Sequence, residues 1–146
     1  MTESETGVFR HILVPVDLSE RTDRTADMAR SLGQPGRAQV TLFHVIETIP
    51  GTDYDEFQSF YRELEGRASR HLTALSARFD GSGLEVDRTV VYGKPAEEII
   101  RFAVDHHVDL ILLASHKVDL SRPGHGWGTL SYRVGVLAPC PVMLVK

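Results

Sequence analysis

Five short apolar runs alternate with four segments of helical periodicity, and this order constrains the fold more than any other feature of the sequence. The runs lie at residues 11–17, 38–46, 84–92, 110–114 and 142–145. Strand-like runs that alternate with helical patterns are typical of βαβ units, whose parallel strands are covered by helices. The sequence therefore predicts an α/β fold built on a single doubly wound, open parallel sheet of five strands.

The segments between the runs carry apolar residues at helical spacing. Ser19 is expected to cap a first helix, whose inner face then holds Thr22, Ala26, Ala29 and Leu32. A long helix is predicted over residues 55–79, with an inner stripe that begins at Phe57 and Phe60. Pro95 suits the first turn of a third helix. A short fourth helix is expected to turn three residues inward: Leu130, Val134 and Leu137.

Length, charge and cysteine content limit the class of protein. A chain of 146 residues is expected to form one domain over residues 1–146, with residues 1–8 flexible. Its net charge of -4 gives no bulk attraction to nucleic acid or to anionic lipid. The single cysteine, Cys140, cannot form a disulfide within the chain, and from the apolar pattern we expect neither a membrane span nor a signal peptide. We therefore expect a cytoplasmic protein without a nucleic-acid or membrane partner.

The predicted topology also indicates where a ligand would bind. In open parallel sheets, ligands gather at the carboxyl ends of the strands, at the point where the strand order reverses. If the first and fourth strands are central neighbours, the crevice lies between Pro15, Val16 and Asp17 and the loop after Ala114.

Five stretches of the sequence share the pattern of a known family, in order and over nearly the whole chain: residues 12–17 followed by Ser19, and residues 42–46, 92–99, 109–116 and 138–142. In these stretches the chain resembles the universal stress protein (UspA-like) family. The resemblance implies the strand order 3-2-1-4-5 of the adenine nucleotide alpha hydrolase-like folds and a homodimer. It also implies either ATP binding or its loss, since both kinds of member are known.

Nucleotide-binding members of that family share a glycine signature after the fourth strand, and this chain departs from it. Its first two glycines are replaced by Ala114 and Lys117, and ten residues rather than nine separate Lys117 from Gly128. The final pair, Gly128 and Thr129, is retained at the start of a helix, where free N–H groups favour anions. Gly124 and Gly126 are further glycines that the signature does not require, and with Gly128 they alternate with His125 and Trp127.

Two interpretations of this loop stay open. In one, charged contacts to phosphate replace backbone contacts, through Lys117, Arg122 and His125. In the other, Trp127 closes the loop over the crevice and abolishes phosphate binding.

The candidate binding residues follow from the crevice and from the resemblance. They are Pro15, Val16, Asp17, Val45, Ala114, Ser115, His116, Lys117, Gly128, Thr129 and Leu130. The resemblance places Asp17 beside the adenosine portion of ATP or AMP, whereas a capping role for this residue is equally compatible with the sequence. Likewise, Val45 either contacts the adenine or is a plain core valine. Mg²⁺ is expected only with a bound nucleotide.

We expect no catalytic residue and no metal site. His44 and His116 lie at strand ends without acidic or cysteine partners at ligand spacing, which favours structural roles for both. The sequence contains neither a phosphate-binding P-loop nor a nucleophile elbow. Cys140, between two prolines, is expected to be a small buried residue rather than a reactive thiol.

Three functions remain as alternatives. The first is a stress-response binding protein, whether or not it uses nucleotide. The second is an enzyme, namely a slow ATP hydrolase or a transferase that acts through adenylates. The third is a structural dimer with a vestigial pocket. In each case, we expect a homodimer through the apolar edge strand Val142, Met143, Leu144 and Val145, whose exposed backbone groups would pair across a two-fold axis.

Overall fold

The computed structural model describes residues 7–48, 55–115, 121 and 129–146. Strands and α-helices alternate along these residues: β1 (His11–Pro15), α1 (Arg21–Gly33), β2 (Gln39–Glu47), α2 (Gln58–Ser76), β3 (Glu85–Gly93), α3 (Pro95–Asp105), β4 (Leu110–Ala114), α4 (Thr129–Leu137) and β5 (Val142–Val145). A 3₁₀ turn, Ala77–Phe79, continues α2. None of the described helices combines the length and the apolar character that a bilayer span requires.

The strands form one parallel sheet with the order β3-β2-β1-β4-β5. This order confirms the predicted fold class and places β1 and β4 side by side at the centre. The strand β3, whose first residues alternate between polar and apolar side chains, lies at one edge. The last strand, β5, lies at the other edge.

Helices cover both faces of the sheet, which explains why the central strands are almost wholly apolar. On one face, Ile12 and Val14 of β1 pack with α1 and α2, and on the other face Leu13 packs with α3. All three side chains are fully buried. Burial of each such side chain contributes about 1.5–3 kcal/mol to the stability of the fold.

A carboxylate joins the amino ends of the two central strands. Asp109, just before β4, accepts hydrogen bonds from the backbone N–H groups of Arg10 (2.7 Å) and His11 (3.1 Å). The His11 ring is buried and bonds to the carbonyl of His106 (3.1 Å) and to Thr41 Oγ1 (2.8 Å). The sheet is therefore tied together at this end.

Three local predictions are wrong. Ser19 does not cap α1, because the helix begins two residues later, at Arg21, with Glu20 at the cap position, and the Ser19 side chain bonds back to Asp17 instead. Phe57 and Phe60 are 39% and 44% exposed, since α2 begins to contact the core only at Tyr61. Leu137 is 58% exposed, because it ends α4 beside an open groove rather than over the sheet.

Candidate functional site

A cavity of about 260 Å³ opens at the carboxyl ends of β1, β2 and β4, where β1 and β4 part. Its lining is formed by Pro15, Val16, Asp17, Phe43, His44, Val45, Pro95, Ile99, Leu113, Ala114 and Leu130. Most of these residues are apolar, and three strands and two helices contribute them. The cavity therefore lies at the position that the predicted topology indicated for a ligand.

The hydrogen-bond ladder between β1 and β2 ends inside this cavity. Its last residue pair is Pro15 with Phe43, and the N–H of Val16 donates to the Phe43 carbonyl at 2.7 Å. The backbone groups of Phe43 therefore face β1. Backbone groups two residues apart on a strand point to the same side, so those of Val45 face the same way. There β1 has ended, and no described strand lies beside the N–H and C=O of Val45 on that side.

Asp17 organises the turn that leads out of β1. Its Oδ1 accepts the N–H of Ser19 (2.9 Å) and the hydroxyl of Ser19 (2.6 Å), and its Oδ2 lies 3.3 Å from the Arg21 guanidinium. Leu18 between them has a φ of 63°. Partial burial by itself raises the pKa of Asp17, but the bonds from Ser19 and Arg21 outweigh it and hold the pKa below its ordinary value. An ionised carboxylate therefore stands at the rim of the cavity.

His44 bonds to the end of β1 with its side chain. Its Nδ1 lies 2.6 Å from the Val16 carbonyl oxygen. Because a carbonyl only accepts hydrogen bonds, Nδ1 carries the proton. Side chains alternate across a sheet, so the ring lies on the face opposite to Phe43 and Val45. This partner confirms the prediction that His44 is a satisfied structural histidine.

The amino end of α3 forms a further wall. Gly93 has a φ of 148° and leads into Lys94 and Pro95, so that Pro95 and Ile99 reach the cavity. Sequence reasoning missed these two residues. The signal was present, because in a parallel sheet each helix that follows a strand begins at the carboxyl edge, the same edge as the crevice.

The structure brings part of the predicted set together. The residues of that set that line the cavity are Pro15, Val16, Asp17, Val45, Ala114 and Leu130. Ser115 lies just beyond β4, where its N–H donates to the Val145 carbonyl at 2.8 Å and its Oγ accepts from Lys146 Nζ at 3.0 Å. Thr129 begins α4. Three others lie outside the described residues: His116, Lys117 and Gly128.

The lining residues that the prediction did not include are Phe43, His44, Pro95, Ile99 and Leu113. Phe43 and Leu113 lie in the strands whose ends were predicted to border the crevice. Within the described part of the chain, no three histidine, cysteine or acidic side chains come close enough to hold a metal ion.

The strand order and the position of the crevice define a doubly wound α/β domain with a ligand-sized opening at its switch point. The sequence model of the universal stress protein family matches residues 9–146. The chain belongs to the universal stress protein family.

Individual relatives agree in sequence and in fold. A universal stress protein from Thermus aquaticus is 30% identical over 141 residues, which covers 95% of this chain and all of the relative. The solved structure of a Methanocaldococcus jannaschii universal stress protein superposes with a TM-score of 0.80 at 26% identity, covering 94% of this chain and 96% of that one. A universal stress protein from Archaeoglobus fulgidus, solved in complex with dAMP, has the same fold, with a TM-score of 0.67 at 18% identity and coverage of 95% and 99%.

Proposed function

We propose that this universal stress protein binds an adenine nucleotide, AMP or ATP, in the crevice at the carboxyl ends of β1 and β4. One observation carries the proposal. An apolar cavity of about 260 Å³ has backbone hydrogen-bonding groups at one edge and a carboxylate at its rim. Ligand sites in proteins combine apolar walls with a few placed polar groups in this way.

The walls suit a flat aromatic base. Phe43, Ile99 and Leu113 are buried side chains that offer apolar contact. At the edge, Val45 presents one N–H donor and one C=O acceptor on the side where β1 has ended. An adenine edge offers a ring-nitrogen acceptor next to an amino donor, and these match the two backbone groups of Val45.

Asp17 suits the sugar. Its carboxylate has about four lone-pair sites, and the bonds from Ser19 and Arg21 leave capacity for a ribose hydroxyl. The turn-forming role and the ligand-binding role of Asp17 are therefore compatible. The dAMP complex of the Archaeoglobus fulgidus relative supports the proposal, since it shows that a protein of this fold holds an adenine nucleotide.

We also infer that the protein acts by binding in the cytoplasm during a stress response, without turnover. A general base needs a free acceptor within reach of a reacting proton. Among the described lining residues, the titratable side chains are Asp17 and His44. The pKa of Asp17 is held below its ordinary value, which makes Asp17 a weak base. The His44 ring donates from Nδ1 to Val16, and its other nitrogen, Nε2, lies with the ring on the sheet face opposite to Phe43 and Val45, away from a ligand in the cavity.

Calorimetric titration with AMP and with ATP, each with and without Mg²⁺, tests the proposal. Ala114→Phe fills the cavity, and we expect it to weaken AMP binding at least about tenfold, a loss of about 1.4 kcal/mol. Val104→Phe adds the same ring to an exposed position of α3, 54% exposed, and should leave the affinity unchanged. If neither nucleotide binds at millimolar concentration, the pocket is vestigial. Steady phosphate release from ATP would favour the hydrolase instead.

We further propose a homodimer through β5. Met143 and Leu144 of this edge strand are 37% and 41% exposed, and a short apolar edge invites pairing with a second copy. Light scattering should give twice the 16.3 kDa of one chain. Leu144→Lys should reduce the mass to that of one chain, whereas Val136→Lys on the exposed face of α4 should not. A wild-type mass of one chain would contradict the dimer.

A further inference from the structure

We propose that His44 holds the crevice open: its ring binds the Val16 carbonyl and so leaves the backbone N–H of Val45 available to a ligand. His44 is thus a positioning residue that acts through the backbone and does not itself contact the ligand. The part of this inference that concerns the ligand rests on the proposed function. The part that concerns the strands does not.

The hydrogen-bond spacing between the parallel strands β1 and β2 shows which backbone bond the His44 ring replaces. Bonds in such a ladder recur at every second residue of each strand. After the bond from Val16 N–H to the Phe43 carbonyl, the next bond would join the Val45 N–H to the Val16 carbonyl. The observed register stops at the Pro15–Phe43 pair, one step before that bond. At the Val16 carbonyl stands the Nδ1 of His44, 2.6 Å from the oxygen.

The residues that follow β1 favour a bond from the His44 ring, rather than from the Val45 N–H, to the Val16 carbonyl. Pro15 has no N–H and ends the regular strand. Leu18, with a φ of 63°, turns the chain away from β2. Between them, Val16 is held to β2 through both of its backbone groups: its N–H donates to the Phe43 carbonyl, and its C=O accepts from the His44 ring. Asp17 follows Val16 directly, so the two bonds to Val16 also fix the start of the turn that places the Asp17 carboxylate at the rim of the cavity.

The His44 ring and the cavity lie on opposite faces of the sheet. His44 approaches Val16 from the face covered by α1 and α2, whereas Phe43 and Val45 lie on the cavity face with α3. The ring therefore occupies the carbonyl without filling the cavity. A regular ladder bond at this point would instead pull the end of β1 against β2 and narrow the opening.

The tautomer of His44 and the exchange of the Val45 amide test the inference without any ligand. In the wild-type protein, ¹⁵N NMR should show the His44 proton on Nδ1, and hydrogen exchange should show a weakly protected Val45 amide. His44→Phe removes the donor, so the ladder should extend and protection of the Val45 amide should rise about fivefold, the worth of one net hydrogen bond. His44→Asn places an amide donor near the same position and should retain the wild-type exchange.

The same variants test whether the bond between His44 and Val16 affects nucleotide binding. AMP affinity should fall about tenfold in His44→Phe and recover in His44→Asn. The control is His71→Phe, which removes a histidine that bonds to Thr22 Oγ1 at 3.2 Å, on the same face of the sheet but away from the cavity lining. It should change neither Val45 exchange nor AMP affinity.

Each outcome decides the inference. Unchanged Val45 exchange in His44→Phe, or a wild-type ring protonated only on Nε2, would overturn it. If the wild-type protein binds no AMP, the proposed function fails, and the exchange data still decide whether the ring ends the ladder. If His44→Phe does not fold, the wild-type tautomer and the behaviour of His44→Asn take its place.

Discussion

Replacement of Gly93 by alanine should destabilise the protein strongly, because two independent costs meet at this residue. Its φ of 148° is a conformation that residues with a side chain rarely adopt. A Cβ at this position would also lie 2.8 Å from Cγ and 2.9 Å from Oε1 of Glu98. The atoms met belong to the flexible side chain of Glu98, which is bonded to the exposed Arg101 at 2.5 Å, so the contact is relieved by a shift of Glu98 and adds the smaller of the two costs.

The two costs can be given magnitudes. A residue forced into a sparsely populated backbone region costs about 1–3 kcal/mol. The displacement of Glu98 adds to this cost, so we expect Gly93→Ala to lower the free energy of unfolding by about 2–3 kcal/mol. In a chain of this length, such a change lowers the midpoint of thermal unfolding by about 5–10 °C.

Two other glycines provide matched controls in urea and thermal unfolding. Gly81 has a φ of 78°, but a Cβ added to it would meet no atom within 4 Å, so Gly81→Ala should cost only the backbone strain. Gly135 lies within α4 with open space around it, and Gly135→Ala should stabilise by up to about 1 kcal/mol. In the double variant Gly93→Ala with Glu98→Ala, the contact with Glu98 is absent, so the part of the stability loss due to that contact should be recovered and the backbone strain should remain. A Gly93→Ala variant as stable as Gly135→Ala would refute the reasoning.

Three further predictions concern the core, the rim carboxylate and the thiol. Leu112→Ala should lower the free energy of unfolding by about 2–5 kcal/mol in urea titration, since Leu112 is fully buried in β4; a loss below about 1 kcal/mol would contradict that burial. Because folding lowers the pKa of Asp17 below its ordinary 3.8, its contribution to stability is present above that pH and is lost as the pH falls further. Asp17→Asn should therefore flatten the pH dependence of the thermal midpoint between about pH 5 and pH 2, and an unchanged slope would contradict this. Burial, aided by the charge of Asp109, raises the pKa of the Cys140 thiol, so a disulfide reagent at pH 8 should label the folded protein more slowly than the urea-unfolded protein; equal rates would count against it.

The fold was predictable because one physical pattern repeats along the chain. Strands buried on both faces must be apolar throughout, as residues 110–114 are, and this signal does not depend on neighbouring residues. The polar and apolar residues that alternate at the start of β3 are likewise typical of an edge strand, and β3 lies at an edge. Local capping was less predictable. Ser19 is a good helix cap by residue type, but α1 begins after Glu20 rather than after Ser19, and the Ser19 side chain bonds back to the Asp17 carboxylate instead.

The site was predictable only in part, for a similar reason. The residues at the ends of β1 and β4 follow from topology alone. Pro95 and Ile99 reach the cavity because Gly93 adopts a φ of 148°, a choice that glycine permits but does not require. The role of the His44 ring depends on a ladder that stops one bond early, which no spacing in the sequence reveals.

Asp109 connects the central strands β1 and β4 at their amino ends but not at their carboxyl ends. Its carboxylate fastens them near Arg10 and His11, and their direct pairing spans only Ile12 with Leu110 and Leu13 with Ile111. The bonds of Asp109 thus join β1 and β4 at their amino ends. At their carboxyl ends the opening between the two strands can change in width without breaking these bonds. Under the proposed function, substitutions at Ala114, which lines the cavity, should change which ligands fit there while the bonds of Asp109 at the other end of the sheet stay in place.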